Sequence, residues 1–239
     1  MSFYAKTESG TLDFTYGNMN YSVINGTATN EWQRFVITQT LPTTTRYPKI
    51  QTTEIGSLLL WGFQVEALPY ATSYIPTSGA IATRLADSVT GAGDATTFNS
   101  TEGVLYAEIA ALADGTGTRT MSLTDGTANN SITIRYTTSV GVIQALVVSG
   151  GSFQFSANIS GVSVLDFNKI AVKYKQNDLA LWINGVEVAT DTSGTTPLGL
   201  SELNFIARDG VNNLYGKVKS LITFDTALTD AELECLTTI

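Results

Sequence analysis

The chain has 239 residues, with 13 Lys and Arg against 21 Asp and Glu, a formal net charge of −8, no His and one Cys. The lack of His excludes a His-dependent catalytic triad and a His-containing zinc site, and a single Cys excludes an intrachain disulfide. The net negative charge argues against electrostatic binding to nucleic acid or anionic lipid, so we expect no nucleic-acid partner and no membrane insertion.

The first 80 residues are strand-rich and precede a small, polar stretch. The composition of residues 31–40 and 57–66 predicts the two clearest strands of this block. Only about five strand candidates precede Thr77, too few for a closed eight-stranded jelly roll within one chain. Residues 81–94, rich in small and polar side chains, are predicted to link this block to the next one.

Residues 95–239 contain short alternating stretches separated by turns. In the segment 169–175, the apolar residues point inward and Lys173 and Lys175 are predicted to reach water. The pair Asn184-Gly185 predicts a tight hairpin turn. Further strands are expected at 104–112, 119–124, 131–138, 141–149, 152–159, 179–188, 203–208 and 216–224. This spacing predicts an all-β chain of antiparallel β-sandwiches rather than a parallel sheet with crossover helices.

One short helix is predicted at the C-terminus. Thr229 and Glu232 have the spacing of a capping box, in which each satisfies the other's backbone amide. The helix is expected to dock on the second sandwich through Leu233 and Leu236. Cys235, which lies in this helix, is predicted to be a small buried hydrophobic residue.

The first block contains the segments EWQRF (31–35), LWGFQVE (60–66) and YATSYIPT (70–77). Together they resemble the closing half of a carbohydrate-binding-module-like jelly roll that is frequent in phage tail and other virion proteins. The resemblance covers about residues 1–80 and implies that a further segment or another subunit completes the sheet, because such modules have more strands. It also places Trp32 and Trp61 in the core.

The second block contains the segments LWINGVEV (181–188), YGKV (215–218) and ALTDAEL (227–233). These segments resemble the concanavalin A-like lectin/glucanase fold in its laminin-G-like form. It implies a lectin-like sandwich, although Lys219-Ser220 stands where the family usually has an acidic pair. This fold hosts many functions, so the resemblance indicates fold more than ligand.

Catalysis is not expected, although this fold hosts glucanases and lyases. A retaining glycosidase needs two carboxyl groups about 5–5.5 Å apart, and no Glu-x-Asp-x-x-Glu pattern occurs in the sequence. A lyase of this class would need a His. Loops rich in Asp and Asn would suit calcium, but no spacing matches a dedicated calcium loop, so we expect neither metal nor cofactor.

For the second block, sugar binding is a more specific hypothesis than catalysis or calcium binding. Because side chains alternate along a strand, Trp182 points to the opposite side from Leu181 and Ile183, which are predicted to face the core. An aromatic ring exposed on that side can stack on a sugar. The nearby polar loop would supply hydrogen bonds to hydroxyl groups. The alternatives are that Trp182 packs under a covering loop and that the loop residues only form a turn. The predicted binding residues are Trp182, Asp209, Asn212, Asn213 and Tyr215.

Three functions are compatible with these observations. The leading hypothesis is a non-enzymatic, tail-fibre-like phage appendage that contacts other virion proteins or copies of itself and holds a host surface glycan. The second is a purely structural virion decoration or assembly protein. The third is a carbohydrate-binding module of a secreted bacterial enzyme. The expected location is therefore the virion, with a secreted, extracellular protein as the alternative.

Overall fold

A computed structural model describes residues 1–18, 22–40, 47–52, 54–68, 70–83, 93–207 and 212–239. The chain divides into two compact units, Met1–Leu85 and Ala86–Ile239, which we call the N-terminal and C-terminal units. Within the described ranges the secondary structure is sixteen strands and one short helix. The expected all-β, antiparallel fold class is confirmed. The predicted linker, residues 81–94, lies largely outside the described residues.

The N-terminal unit contains two three-stranded antiparallel sheets, ordered β4-β1-β6 and β3-β2-β5. Phe3, Phe14, Tyr16 and Phe35 form its core, with ring centroids 4.9–6.2 Å apart. The described residues of this unit form six strands, and the prediction that residues 1–80 do not make a closed eight-stranded jelly roll stays a prediction. The strands are β1 (Ser2–Thr7), β2 (Leu12–Asn18), β3 (Ser22–Ala28), β4 (Gln33–Val36), β5 (Pro48–Thr52) and β6 (Leu58–Gln64).

The C-terminal unit contains two five-stranded antiparallel sheets, ordered β11-β10-β9-β8-β15 and β14-β13-β12-β7-β16. Their inner faces share one continuous apolar core. The strands are β7 (Glu102–Ala111), β8 (Arg119–Thr124), β9 (Ser131–Tyr136), β10 (Ile143–Ser149), β11 (Ser152–Ile159), β12 (Asn168–Lys175), β13 (Leu179–Ile183), β14 (Val186–Asp191), β15 (Glu202–Asn204) and β16 (Gly216–Phe224).

Each strand predicted in this unit is present, and the hairpin forms at the predicted turn. Asn184 and Gly185 have φ angles of 51° and 83°, the pair of positive values that the tightest two-residue hairpins require. Several boundaries differ by one or two residues, and the largest difference concerns the strand expected at 203–208, whose described part is a strand only at Glu202–Asn204. The chain turns away there, since Leu214 donates its N–H to the carbonyl of Phe205.

The C-terminal helix α1 (Asp230–Thr237) begins at the predicted capping box, since Thr229 accepts from Glu232 N–H and Glu232 accepts from Thr229 N–H. Leu233 and Leu236 pack against the second sheet, as expected. The prediction that Cys235 is buried is wrong, because its side chain is exposed. At about 100° per residue, position 235 lies on the opposite side of the helix from Leu233 and Leu236.

The helix also changes the surroundings of Lys173, which was expected to reach water. Its side chain is only 7% exposed, and its Nζ lies 2.7 Å from Asp178 Oδ1 and 3.2 Å from Asp230 Oδ1. Although burial opposes the charge, these two carboxylates outweigh it and raise the pKa of Lys173. The ion cluster therefore ties the start of α1 to β12.

We predict that residues 95–239 fold independently of the N-terminal unit. The two sheets bury their inner faces against each other, and α1 covers part of one outer face, so the unit contains its own core. Expressed alone, this segment is expected to give a single cooperative unfolding transition in a thermal melt followed by circular dichroism. A gradual transition without a defined midpoint would contradict the prediction.

Candidate functional site

Trp182 occupies a buried position under the C-terminal helix. Its side chain is 6% exposed and packs with Leu233, Tyr106 and neighbouring residues of the same sheet. The strand phase was inferred correctly, because Leu181 and Ile183 belong to the core between the sheets. The expectation of a ring available to ligand is nevertheless wrong, since α1 covers this outer face of the sheet.

The structure does not bring Trp182 near Tyr215, which was expected to share its site. Trp182 lies level with Ile222 across the strands β13, β12, β7 and β16, as the register of these strands shows. Tyr215 is seven residues before Ile222, so it lies about 14 Å across the sheet and about 20 Å along it from Trp182. These two residues cannot contact the same sugar ring.

The loop residues have structural roles of their own. Asn212 has a φ of 62°, typical of a turn, and Asn213 forms an isolated bridge with Thr120. Tyr215 is about half exposed and donates its backbone N–H to Asn213. Asp209 lies outside the described residues. A site formed by this loop alone stays a prediction.

A second, exposed group of aromatic residues lies on the outer face of the sheet β4-β1-β6. Trp32 and Trp61, both expected in the core, are 48% and 53% exposed, so that expectation is wrong. The ring of Trp61 lies 5.2 Å from that of Tyr4 and 4.6 Å from that of Tyr74. We call this surface the aromatic face, and its members are Tyr4, Lys6, Trp32, Arg34, Trp61 and Tyr74.

Strand alternation explains why these residues share one face. In β1, Phe3 and Ala5 are fully buried, so the intervening Tyr4 points to the opposite side of the sheet. Tyr4 pairs with Arg34 of β4 on one side and with Trp61 of β6 on the other. Residues that pair directly across antiparallel strands point to the same face. Because Phe3 and Ala5 point into the core, Tyr4, Arg34 and Trp61 point away from it, to the outer side of the sheet.

Two cations accompany the rings. Lys6 Nζ lies 5.5 Å from the centre of the Trp32 ring, and Arg34 Cζ lies 5.8 Å from the centre of the Tyr4 ring. Both distances fall within the range of cation–π attraction, about 6 Å. Lys6 and Arg34 therefore place two positive charges beside the rings of this face, and the carboxylate of Glu66 interacts with Arg34.

A segment that crosses this sheet holds Tyr74 in place. Thr72 donates its backbone N–H to Glu66 Oε2 at 3.0 Å and its hydroxyl to Glu66 Oε1 at 2.5 Å. Arg34 donates to the carbonyl of Thr72 and to Ser2 Oγ. Gln64 accepts from the backbone N–H of Ile75 at 2.8 Å. The polar residues of the motif LWGFQVE…ATSYIPT therefore anchor the segment 70–76 over the sheet.

Gly62 allows this close packing. Its φ is +65°, and a Cβ at this position would lie 3.1 Å from the ring of Tyr4 and 3.4 Å from that of Tyr74. The left-handed backbone and the narrow space both favour glycine at this point. A side chain at this position would be strained by the left-handed backbone and would require the ring of Tyr4 to shift by a few tenths of an ångström.

We predict that acid loosens this segment. Although burial opposes ionisation of Glu66, hydrogen bonds from Thr72 and Gln64 outweigh it and hold the pKa of Glu66 below its usual value of 4.5. The ionised carboxylate therefore stabilises the fold above pH 4.5, and this contribution is lost as the pH falls through the lowered pKa.

The N-terminal unit is expected to melt at lower temperature as the pH falls from about 6 to about 3, and Glu66→Gln should flatten this dependence. Differential scanning calorimetry of the full chain at several pH values measures both effects. If the parent protein and the Gln variant showed the same slope over this range, Glu66 would not be the responsible group.

The C-terminal unit has a polar sheet face of a different kind. Thr120, Ser131 and Thr133 point outward from β8 and β9, yet each is at most 3% exposed. Among the residues described, their three hydroxyl groups are buried without a hydrogen-bond partner, an unfavourable state. The three hydroxyl groups are therefore inaccessible to a ligand in this structure, whereas Ser156 and Asn158 of β11, on the same sheet, are exposed.

The described ranges contain neither a cluster of metal-ligating side chains nor a membrane-spanning helix. No group of three or more His, Cys, Asp and Glu side chains in these ranges is placed to hold a metal ion. No helix among the described residues has the length and hydrophobicity to cross a membrane.

Comparisons with known proteins find similarity only among solved structures, since no protein-family model and no curated protein matches the sequence. One similar structure is the CBM40 domain of the Ruminococcus gnavus IT-sialidase bound to α2,3-sialyllactose. It has 17% identity and a TM-score of 0.49, and the match covers 61% of this chain and 91% of that one.

Two further structures are similar at lower coverage of their own length. For the leech intramolecular trans-sialidase, the identity is 18% and the TM-score 0.47, with 59% of this chain and 24% of that chain covered. For domains LG4-5 of the mouse laminin α1 chain, the identity is 12% and the TM-score 0.39, with 66% of this chain and 48% of that chain covered. At these values the comparisons assign neither ligand nor activity to this chain.

Proposed function

We propose that this chain is a non-enzymatic, glycan-binding protein that contacts sugar through the aromatic face of its N-terminal unit. The observation that supports this most strongly is the exposure of Trp32 and Trp61 on one side of a single sheet. Sugars stack their apolar C–H faces on aromatic rings, and polar groups at the rim select the orientation of their hydroxyls.

The spacing of the rings indicates the size of the ligand. Trp32 directly precedes β4 and Trp61 lies in β6, two strand spacings away across β1, and the two residues are offset by about two positions along the strands. Their backbones are therefore about 12 Å apart. An oligosaccharide bridges such a distance, whereas a single sugar ring does not. Lys6, which lies between them, would donate hydrogen bonds to the bridging residues.

The setting we propose is a tail-fibre-like virion appendage that attaches to a host surface glycan. It rests on the resemblance of segments 31–35, 60–66 and 70–77 to virion-associated modules. A carbohydrate-binding module of a secreted enzyme would use the same surface. A structural assembly role is the second candidate, and the exposed apolar residues on the edge of β6 favour it.

Binding of the full chain to an array of oligosaccharides tests the proposal. We expect retention on a restricted set of oligosaccharides and no cleaved product after prolonged incubation with the bound sugar. Binding to host cells that is lost after enzymatic removal of surface glycan would support the virion setting. Failure to bind any glycan would favour the assembly role, and release of sugar fragments would contradict a non-enzymatic function.

A further inference from the structure

Lys6 occupies the middle of the aromatic face. It belongs to β1, the central strand of the sheet β4-β1-β6, and it lies on the same side of that strand as Tyr4. Leu59 of β6 pairs with Lys6. On the other side, the centre of the Trp32 ring lies 5.5 Å from Lys6 Nζ. A sugar chain that spans Trp32 and Trp61 therefore crosses β1 next to Lys6.

The charge of Lys6 is not balanced by a carboxylate of the protein. Lys6 takes part in none of the ion pairs found among the described residues, all of which belong to the C-terminal unit, where three Lys side chains contact carboxylates at 2.7–3.2 Å. Glu8 and Glu31 are close to Lys6 and Trp32 in the sequence, but neither forms an ion pair with Lys6. The ammonium group of Lys6 contacts the Trp32 ring instead.

The second cation of this face, Arg34, is compensated within the protein. Its guanidinium group donates hydrogen bonds to Ser2 Oγ and to the carbonyl of Thr72. The carboxylate of Glu66 also interacts with the charge of Arg34. Lys6 is therefore the cation of the aromatic face whose charge is left for a ligand.

A ligand that covers Lys6 removes water from its ammonium group. Lys has three hydrogen-bond donors and no acceptor, and covering a charged group is unfavourable unless the ligand replaces the lost hydrogen bonds. A sugar hydroxyl supplies one acceptor. A carboxylate supplies a shorter, charge-assisted hydrogen bond and neutralises the charge as well. The physical chemistry of Lys6 therefore favours an acidic sugar over a neutral one.

We propose that the aromatic face binds an acidic oligosaccharide, whose carboxylate pairs with Lys6 while its sugar rings stack on Trp32 and Trp61. This inference rests on the proposed function and adds the chemical class of the ligand, a glycan that contains carboxylated sugars such as uronic acids. The net charge of −8 opposes such a ligand at long range. Charges more than about 8 Å away are largely screened at physiological salt, however, so the local pair with Lys6 decides.

An array of uronic-acid-containing oligosaccharides tests this inference when it is printed in two forms, together with neutral oligosaccharides. One form is untreated, and in the other each carboxyl group is chemically reduced to an alcohol, so the two forms differ in the carboxylate alone. We expect the full chain to bind its untreated ligands about fivefold more tightly than their reduced forms. Raising NaCl to about 0.5 M should weaken binding to the untreated form alone.

Substitutions of Lys6 assign this preference to one side chain. Lys6→Met keeps the apolar stem without the charge, so it should remove the difference between the two forms, whereas Lys6→Arg should keep it. Lys49→Met is the matched control, because Lys49 lies on β5 in the opposite sheet and also takes part in none of the described ion pairs. This control should bind both forms as the parent does.

Several results would overturn this inference and leave the glycan-binding proposal in place. They are equal binding to the two forms, binding to neutral oligosaccharides alone, a preference that persists in Lys6→Met, or an equal loss of preference in Lys49→Met. Thermal melts of the variants show that each is folded. If the chain bound no oligosaccharide on the array, neutral ones included, the proposed function and this inference would both be wrong.

Discussion

Trp182→Ala is expected to lower the free energy of unfolding of the C-terminal unit by about 3–5 kcal/mol, the usual cost of removing a buried Trp or Phe side chain. The ring fills the space between β13 and α1, where it contacts Leu233 and Tyr106. Removing the ring leaves a cavity under α1. The helix can close this cavity only in part, because its capping box and the ion pair between Lys173 and Asp230 hold its first turn in place. Urea denaturation of the parent and variant, followed by circular dichroism, measures the difference.

Trp32→Ala is the matched control for this experiment. Because nearly half of the Trp32 side chain is already exposed, its removal is expected to cost about 1 kcal/mol or less. The glycan affinity of a folded Trp182→Ala protein should equal that of the parent. If Trp182→Ala kept full stability and lost glycan binding, the assignment of Trp182 to the core would be wrong.

Trp61→Ala is expected to weaken oligosaccharide binding about tenfold or more, equivalent to about 1.4 kcal/mol. Trp61 lies at the centre of the aromatic face, between Tyr4 and Tyr74, and it offers the largest exposed ring surface there. Its removal takes away the stacking contact while Phe3 and the rest of the core stay in place. Isothermal titration with the oligosaccharide retained on the array measures the affinity.

Tyr47→Ala serves as a control for Trp61→Ala. Tyr47 is an exposed aromatic residue of the same unit that precedes β5, in the opposite sheet from Trp61. This substitution should leave both affinity and melting temperature close to those of the parent. If the Tyr47 variant lost as much affinity as the Trp61 variant, the contact surface would not be the aromatic face.

Local sequence patterns were sufficient to predict most of the C-terminal unit. Its strands alternate because each sheet has one face in the shared core, so periodicity alone predicts segments such as β9 and β12. The turn at Asn184-Gly185 and the capping box at Thr229 depend on residues a few positions apart, and both were therefore readable from the sequence.

The wrong predictions in the C-terminal unit concern the solvent exposure of residues that point away from the core between the sheets. Alternation correctly placed Trp182 and Lys173 outside the core between the sheets, but it cannot show that α1, some 50 residues later, covers them. The position of Cys235 was different, because helical periodicity relative to Leu233 would have placed it on the exposed side.

The aromatic face was missed although a signal for it exists. In SFYAK, Phe3 and Ala5 alternate with Tyr4 and Lys6, and in EWQRF, Phe35 alternates with Arg34. Reading both segments as strands places Tyr4 and Arg34 on one face. The run of apolar residues in β6 has no such alternation, so the sequence alone could not show which side of the sheet Trp61 occupies.

The central claim is that sugar contacts the aromatic face and that Trp182 is a core residue. The chain has three Trp residues, so its ¹⁵N–¹H spectrum contains three indole N–H signals, which single Trp→Phe variants assign. During titration with the retained oligosaccharide, the signals of Trp61 and Trp32 should shift progressively while that of the buried Trp182 stays fixed. A shift of the Trp182 signal with the other two unchanged would contradict the account.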